Sequence, residues 1–216
     1  MHPEANYLIT CLKSDNDVML QAWQNGTKVV TKDLIEETLL SFYIRILKND
    51  EGSAWCLRIL TDFYPDARMN QAGDTPMIIV ARQCSNSFIA QHFSDIEALA
   101  KKSESVFLTN EEGETSLMVA AEEGKYDLVS LLLRAGADIS HLSVLNETVI
   151  DKAKKSANVD KVIDVLVDWI TTHNVSSDVI ERELRELFYD ALVGGQDHLI
   201  EKLRPFSDDL REEMIR

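Results

Sequence analysis

Residues 110–140 read NEEGETSLMVAAEEGKYDLVSLLLRAGADIS, and two short helices are written in them. The first runs about Thr115 to Glu123, with Leu117, Ala120 and Ala121 on one face. Gly124 breaks it, as glycine does where the backbone needs a positive φ. The second runs about Lys125 to Arg134, with Leu128, Val129, Leu132 and Leu133 at helical spacing, and Gly136 closes it. Neither helix is long enough to be stable alone, so the pair must stack on neighbours.

Working outward, weaker copies flank this segment. Residues 70–84, NQAGDTPMIIVARQC, keep Gly73, Thr75, Pro76, Met77 and Ala81, with Cys84 at the place of Gly124. From Thr75 to Thr115 is 115 − 75 = 40 residues, which predicts a longer second half for this copy. Residues 146–170 repeat the theme with Thr148, Ala153, Val162, Val165 and Leu166, and 148 − 115 = 33. Toward the N-terminus, Ala54 to Asn70 reads as a second helix with its loop, Asp33 to Lys48 as a long helix, and Tyr7 to Gln24 as one more pair. Toward the C-terminus, Ile180 to Val193 and Gln196 to Leu203 form a pair broken at Gly194 and Gly195, and Ser207 caps a last short helix.

The central string resembles an ankyrin repeat. The family pattern G-x-T-P-L-H-x-A-A-x-x-G, then L-L-x-x-G-A-D, is carried by Gly113, Thr115, Leu117, Ala120, Ala121, Gly124, Val129, Leu132, Leu133, Gly136, Ala137 and Asp138. Ser116 stands where the family has Pro, and Met118 where it has the His that ties neighbouring loops. The spacing of 33 is the ankyrin period. The resemblance implies an all-α ankyrin-repeat solenoid of roughly five to six helical hairpins, with short finger loops and atypical terminal capping helices. No linker rich in Pro, Gly or Ser divides the chain, so the expectation is a single domain over 1–216. Its approximate units are 1–31, 32–70, 71–110, 111–143, 144–177 and 178–216.

Composition narrows the function. Lys and Arg number 22 against 37 Asp and Glu, a net charge of −15. That sign disfavours a nucleic acid or an anionic membrane surface as partner. The 45% hydrophobic share is that of a folded chain, and with only 8 Gly and 4 Pro an all-β sandwich is disfavoured. Three cysteines, Cys11, Cys56 and Cys84, form no disulfide framework and suit a reducing compartment. The N-terminus lacks a signal-peptide pattern, so the sequence predicts a cytoplasmic protein, and the sequons at Asn25, Asn146 and Asn174 read as chance matches.

No catalytic constellation is present in the sequence: no GxSxG, P-loop, GxGxxG or HExxH. His2, His92, His141, His173 and His198 are isolated. Cys56 falls on an apolar helix face, and the expectation for it and Cys84 is a small packing residue rather than a nucleophile. Trp23, Trp55 and Trp169 read as core or inter-repeat packing. The sequence therefore predicts a chain that is not an enzyme, with no catalytic residue, metal or cofactor.

The resemblance implies a partner-binding face built from the finger loops and the exposed side of the first helices. In the central repeat that face is expected to carry Glu111, Glu112 and Glu114 around Gly113, and Glu122 and Glu123 at the helix end, with Met118 as an apolar contact. The preceding repeat adds Asp74, with Gln71, Arg82 and Gln83 beside it; the following one adds Glu147, with Lys154 and Lys155. Such a face would meet a protein partner with a basic segment, and the chain is expected to be a monomer. A narrower expectation is an effector that an intracellular bacterium delivers to act on host proteins in the host cytosol. The competing expectation is the ankyrin targeting part of a longer enzyme whose catalytic domain lies outside this chain.

Overall fold

The computed structural model describes residues 68–206, without 103 and 176, together with Leu57, Thr61 and Asp66. The expected helices at Tyr7–Gln24 and Asp33–Lys48, most of that at Ala54–Asn70, the cap at Ser207, and Cys11, Cys56, Trp23 and Trp55 lie outside these residues. Among the described residues every regular element is helical, and the β pairing consists of an isolated antiparallel bridge between Thr109 and Thr115. The chain forms two compact units, Met1–Ser116 and Leu117–Arg216.

In the first unit, α1 spans Pro76–Gln83. Thr75 is its N-cap, accepting a hydrogen bond from the Ile78 amide at 3.4 Å, and Pro76 opens the helix where its missing N–H costs nothing. Met77 to Ala81 are all fully buried, so α1 is an interior helix. Cys84 does not reproduce the turn expected of a glycine position. Its backbone is extended, φ −72° and ψ 139°, not left-handed. The reason is Ser85, which accepts from the Phe88 amide at 3.1 Å and starts a new helix at once. The longer second half is thus two helices, α2 (Asn86–Gln91) and α3 (Phe93–Lys102), broken at His92, followed by a 3-10 turn over Glu104–Val106.

The second unit begins within α4, Ser116–Glu122, which turns at Gly124 into α5, Tyr126–Arg134. Leu128, Val129, Leu131, Leu132 and Leu133 of α5 are buried. The helix closes through Gly136 at φ 94°, with the Ala137 amide donating to the Leu132 carbonyl at 3.0 Å. The next pair is α6 (Val149–Lys154) and α7 (Val159–His173). Here Thr148 and Asp151 form a reciprocal capping box, which closes two orphan N–H groups at the start of a six-residue helix. The last pair, α8 (Asp178–Gly194) and α9 (Asp197–Leu203), breaks at Gly195, the residue in the left-handed region. Trp169 is half-buried rather than a core residue: it stacks on His173 of the same helix, with ring centroids 3.6 Å apart.

Candidate functional site

The same turn precedes three of the helices. In the first copy the Gly73 amide donates to the Asn70 carbonyl (3.1 Å), and in the second Gly113 donates to Asn110 (3.1 Å). In the third, Asn146 donates to Ser143 (2.9 Å). The fourth residue of each turn has positive φ: 72°, 73° and 58°. Asn146 can replace glycine because a short amide side chain tolerates the left-handed region better than other residues do. This register makes Gln71–Ala72, Glu111–Glu112 and Val144–Leu145 equivalent tip pairs, and Asp74, Glu114 and Glu147 equivalent acids before Thr75, Thr115 and Thr148.

These placements correct part of the expected face. Asp74 and Glu114 are 2% and 3% exposed, so neither can meet a partner. They sit under the turn, not on it. Asn110 Nδ2 donates to Asp74 Oδ1 at 3.1 Å and to Glu114 Oε2 at 3.0 Å, while its Oδ1 accepts the Glu112 and Glu114 amides at 3.0 and 2.9 Å. Asn70 does the same for Asp74, donating to Oδ2 at 2.9 Å and accepting its amide at 3.0 Å. Arg82 completes the network, 3.2 Å from Glu114 and 3.6 Å from Asp74. Buried carboxylates persist because amides and a guanidinium meet them, and removing one member would strand the rest.

Met118 is also corrected: at 1% exposure it belongs to the core, with Leu117, Val119, Ala120 and Ala121 buried around the same helix. Glu122 and Glu147 are half-buried and bridged by Lys152, whose Nζ lies 3.5 and 3.1 Å from them. Lys155 also pairs with Glu147. The hydrogen bonds from Lys155 and then Lys152 hold the Glu147 carboxyl below its ordinary range, against an opposing push from partial burial. Glu111, Glu112 and Glu123 are exposed. Of the five glutamates expected on the central face, Glu114 and Glu122 are thus paired with a cation of their own unit, while Glu111, Glu112 and Glu123 stay at the surface.

A feature outside the expected face is apolar. Val144 and Leu145 are 69% and 78% exposed at their finger tip, with Leu142 partly exposed beside them. The signal for it was in the repeat register: 146 − 113 = 33 aligns Val144–Leu145 with Glu111–Glu112.

A cavity of about 260 Å³ lies between α7 and α9, lined by Asp160, Asp164, Gln196, Asp197, His198 and Leu199. Its polar groups hold the two helices together. Asp164 accepts from His198 Nε2 and Lys202 Nζ, both at 2.9 Å, and Lys202 also reaches Asp168 at 3.0 Å. Burial pulls the Lys202 ammonium down, but these two carboxylates outweigh it and leave the pKa above its ordinary value. Asp160 and Asp197 lie in the first turns of their helices, where the helix dipole favours an acid. Among the described residues no group of His, Cys, Asp or Glu could hold a metal ion, and no helix is long and apolar enough to cross a membrane. Cys84 is buried, and His92 packs on Phe88 with ring centroids 4.5 Å apart.

These finger turns and helix pairs define an all-α repeat protein of the ankyrin type. The model of the ankyrin-repeat family, three copies, matches residues 8–143. A crystal structure of an ankyrin repeat domain from Acinetobacter baumannii is similar at a TM-score of 0.59 and 18% identity, covering 93% of this chain and 97% of that one. No curated protein sequence matches this chain. The chain belongs to the ankyrin-repeat family. Ankyrin repeats are in general protein–protein interaction modules, and their fold is typically non-catalytic.

Proposed function

We propose that this chain binds a protein partner through its finger tips, with the Val144–Leu145 tip as the apolar anchor of the second unit. The observation that carries this reading is the exposure of two branched aliphatic side chains at one loop tip, where water gains nothing from meeting them. An anchor that becomes buried supplies affinity, which surface charges alone do not. In the first unit the Glu111–Glu112 tip makes no ion pair with the described residues. It supports a partner with a basic segment, since exposed carboxylates speed encounter and select charge. Met118, Asp74 and Glu114 have no part in this contact. A monomer in the cytoplasm fits the reading, and delivery into a host cytosol as a bacterial effector is its narrower form.

The experiment is capture of the partner with the full chain, followed by binding kinetics on variants. Leu145→Asp and Val144→Asp are expected to raise the dissociation rate while leaving the thermal midpoint unchanged. Glu111→Lys with Glu112→Lys is expected to lower the association rate and flatten its dependence on salt. Kinetics unchanged in all of these variants would refute the reading.

A further inference from the structure

The buried stripe of α8 contains a carboxylate. Ile180, Glu183, Leu184, Leu187 and Ala191 are its buried positions, spaced as one helix face, and Glu183 is only 3% exposed. Its Oε1 accepts from Arg182 Nη2 at 3.3 Å, but Arg182 is largely in solvent, so that contact is screened. Its buried Oε2 has no hydrogen-bond partner. An ionised carboxylate placed so is costly, because neither water nor a matching donor replaces its hydration.

The neighbours do not repair this. From α6, Asp151 adds a like charge and Lys154 an opposite one. Lys154 is drawn to Asp190, about two turns further along α8, at 3.7 Å. Asp151 stays committed to Thr148, accepting from its amide and hydroxyl at 2.9 and 3.0 Å. On α8 itself, Glu186 adds a second like charge beside Arg182. From α9, which packs on α8, His198 and Lys202 are turned to Asp164 and Asp168 on α7, and Asp197 and Glu201 are exposed. Arg204 in the turn that follows is exposed as well.

We propose that Glu183 is a proton-operated latch: as a neutral carboxyl it lets the α8–α9 pair stay docked beside α6, and its ionisation loosens that pair. The direction follows from the chemistry. Burial first, then Asp151, raise the carboxyl above its ordinary value of 4.5, and Arg182 offsets only part of this. The folded form therefore holds the proton at a pH where the unfolded segment has lost it. Docking is strongest below about pH 4.5 and weakens as pH rises toward and through the raised value. No other buried carboxyl of the second unit is left with an oxygen lacking a hydrogen bond among the described residues.

The test is amide hydrogen exchange of the full chain from pH 4.5 to pH 8, corrected for intrinsic exchange, with Glu183→Gln alongside. In the unaltered protein the opening constant of α8 and α9 amides is expected to rise up to about tenfold per pH unit until the raised pKa is passed, then level. In Glu183→Gln, which keeps the shape without the charge, that rise should vanish and the protection near pH 8 should match the low-pH protection. The general repulsion of a −15 chain acts on both proteins, so their difference isolates the latch. The carboxyl carbon of Glu183, followed by NMR in the unaltered protein, reads the protonation directly and does not depend on the variant folding. Titration of that carbon at the ordinary carboxylate value, or the same pH slope in both proteins, would overturn the proposal.

Discussion

Two glycines of the second unit share one backbone conformation and differ in their surroundings, which makes a controlled experiment. Gly124 has φ +69° and Gly195 has φ +66°. A side chain at either position costs about 1–2 kcal/mol for the left-handed region, offset by about 0.4–1 kcal/mol from a stiffer unfolded chain. For Gly195→Ala nothing else follows, since no atom lies within 4 Å of the added Cβ. Its expected cost is about 1 kcal/mol. The Cβ of Gly124→Ala would come to 2.6 Å from Ser156 Oγ, 2.8 Å from Asn158 Nδ2 and 3.1 Å from Asn158 Cβ. The tips cannot simply swing away. Ser156 Oγ accepts the Asn158 amide at 3.0 Å, and Asn158 Nδ2 donates to the Gly124 carbonyl at 3.3 Å. Overpacking adds about 1–3 kcal/mol and a lost hydrogen bond about 0.5–1.5 kcal/mol, so Gly124→Ala should cost about 2–5 kcal/mol in all. Urea unfolding followed by circular dichroism measures both, through midpoints at unchanged slope. Adding Ser156→Ala to Gly124→Ala should recover part of the loss, because it removes the nearest clash. Equal destabilisation by Gly124→Ala and Gly195→Ala would refute the reasoning.

Leu132→Ala should cost about 2–5 kcal/mol in the same assay, since Leu132 is fully buried on α5; an unchanged midpoint would remove it from the core. Glu147 has its carboxyl pKa lowered by Lys155 and Lys152, so its stabilisation is present above its ordinary value of 4.5 and is lost as pH falls through the lowered value. Glu147→Gln should therefore remove part of the acid-side loss of stability, and a pH–stability curve identical to that of the unaltered protein would contradict this.

The helices around Gly124 were legible because periodicity and punctuation agree there: Leu128, Val129, Leu132 and Leu133 mark a face, and glycine marks the turn. For Cys84 the sequence showed its place in the repeat and a small packing residue, but not its extended backbone. Ser85 capping the following helix changed the path of the chain. The candidate face was legible in part. Glu111, Glu112 and Glu123 are exposed as their positions suggest. Glu114 is not, because its side chain turns under the finger toward Asn110 and Arg82.

By itself the sequence determined the repeat, its period, its helix breaks and the class of protein. Those follow from local rules: apolar spacing, capping threonines and glycines act over a few residues. Only the tertiary structure decided which acids remain free. Glu114 meets Arg82 across 114 − 82 = 32 residues, and Glu122 meets Lys152 across 152 − 122 = 30. Charge pairing over such separations depends on how one hairpin seats on the next, and burial decides whether the same carboxylate is a surface group, a structural tie or, at Glu183, a held proton.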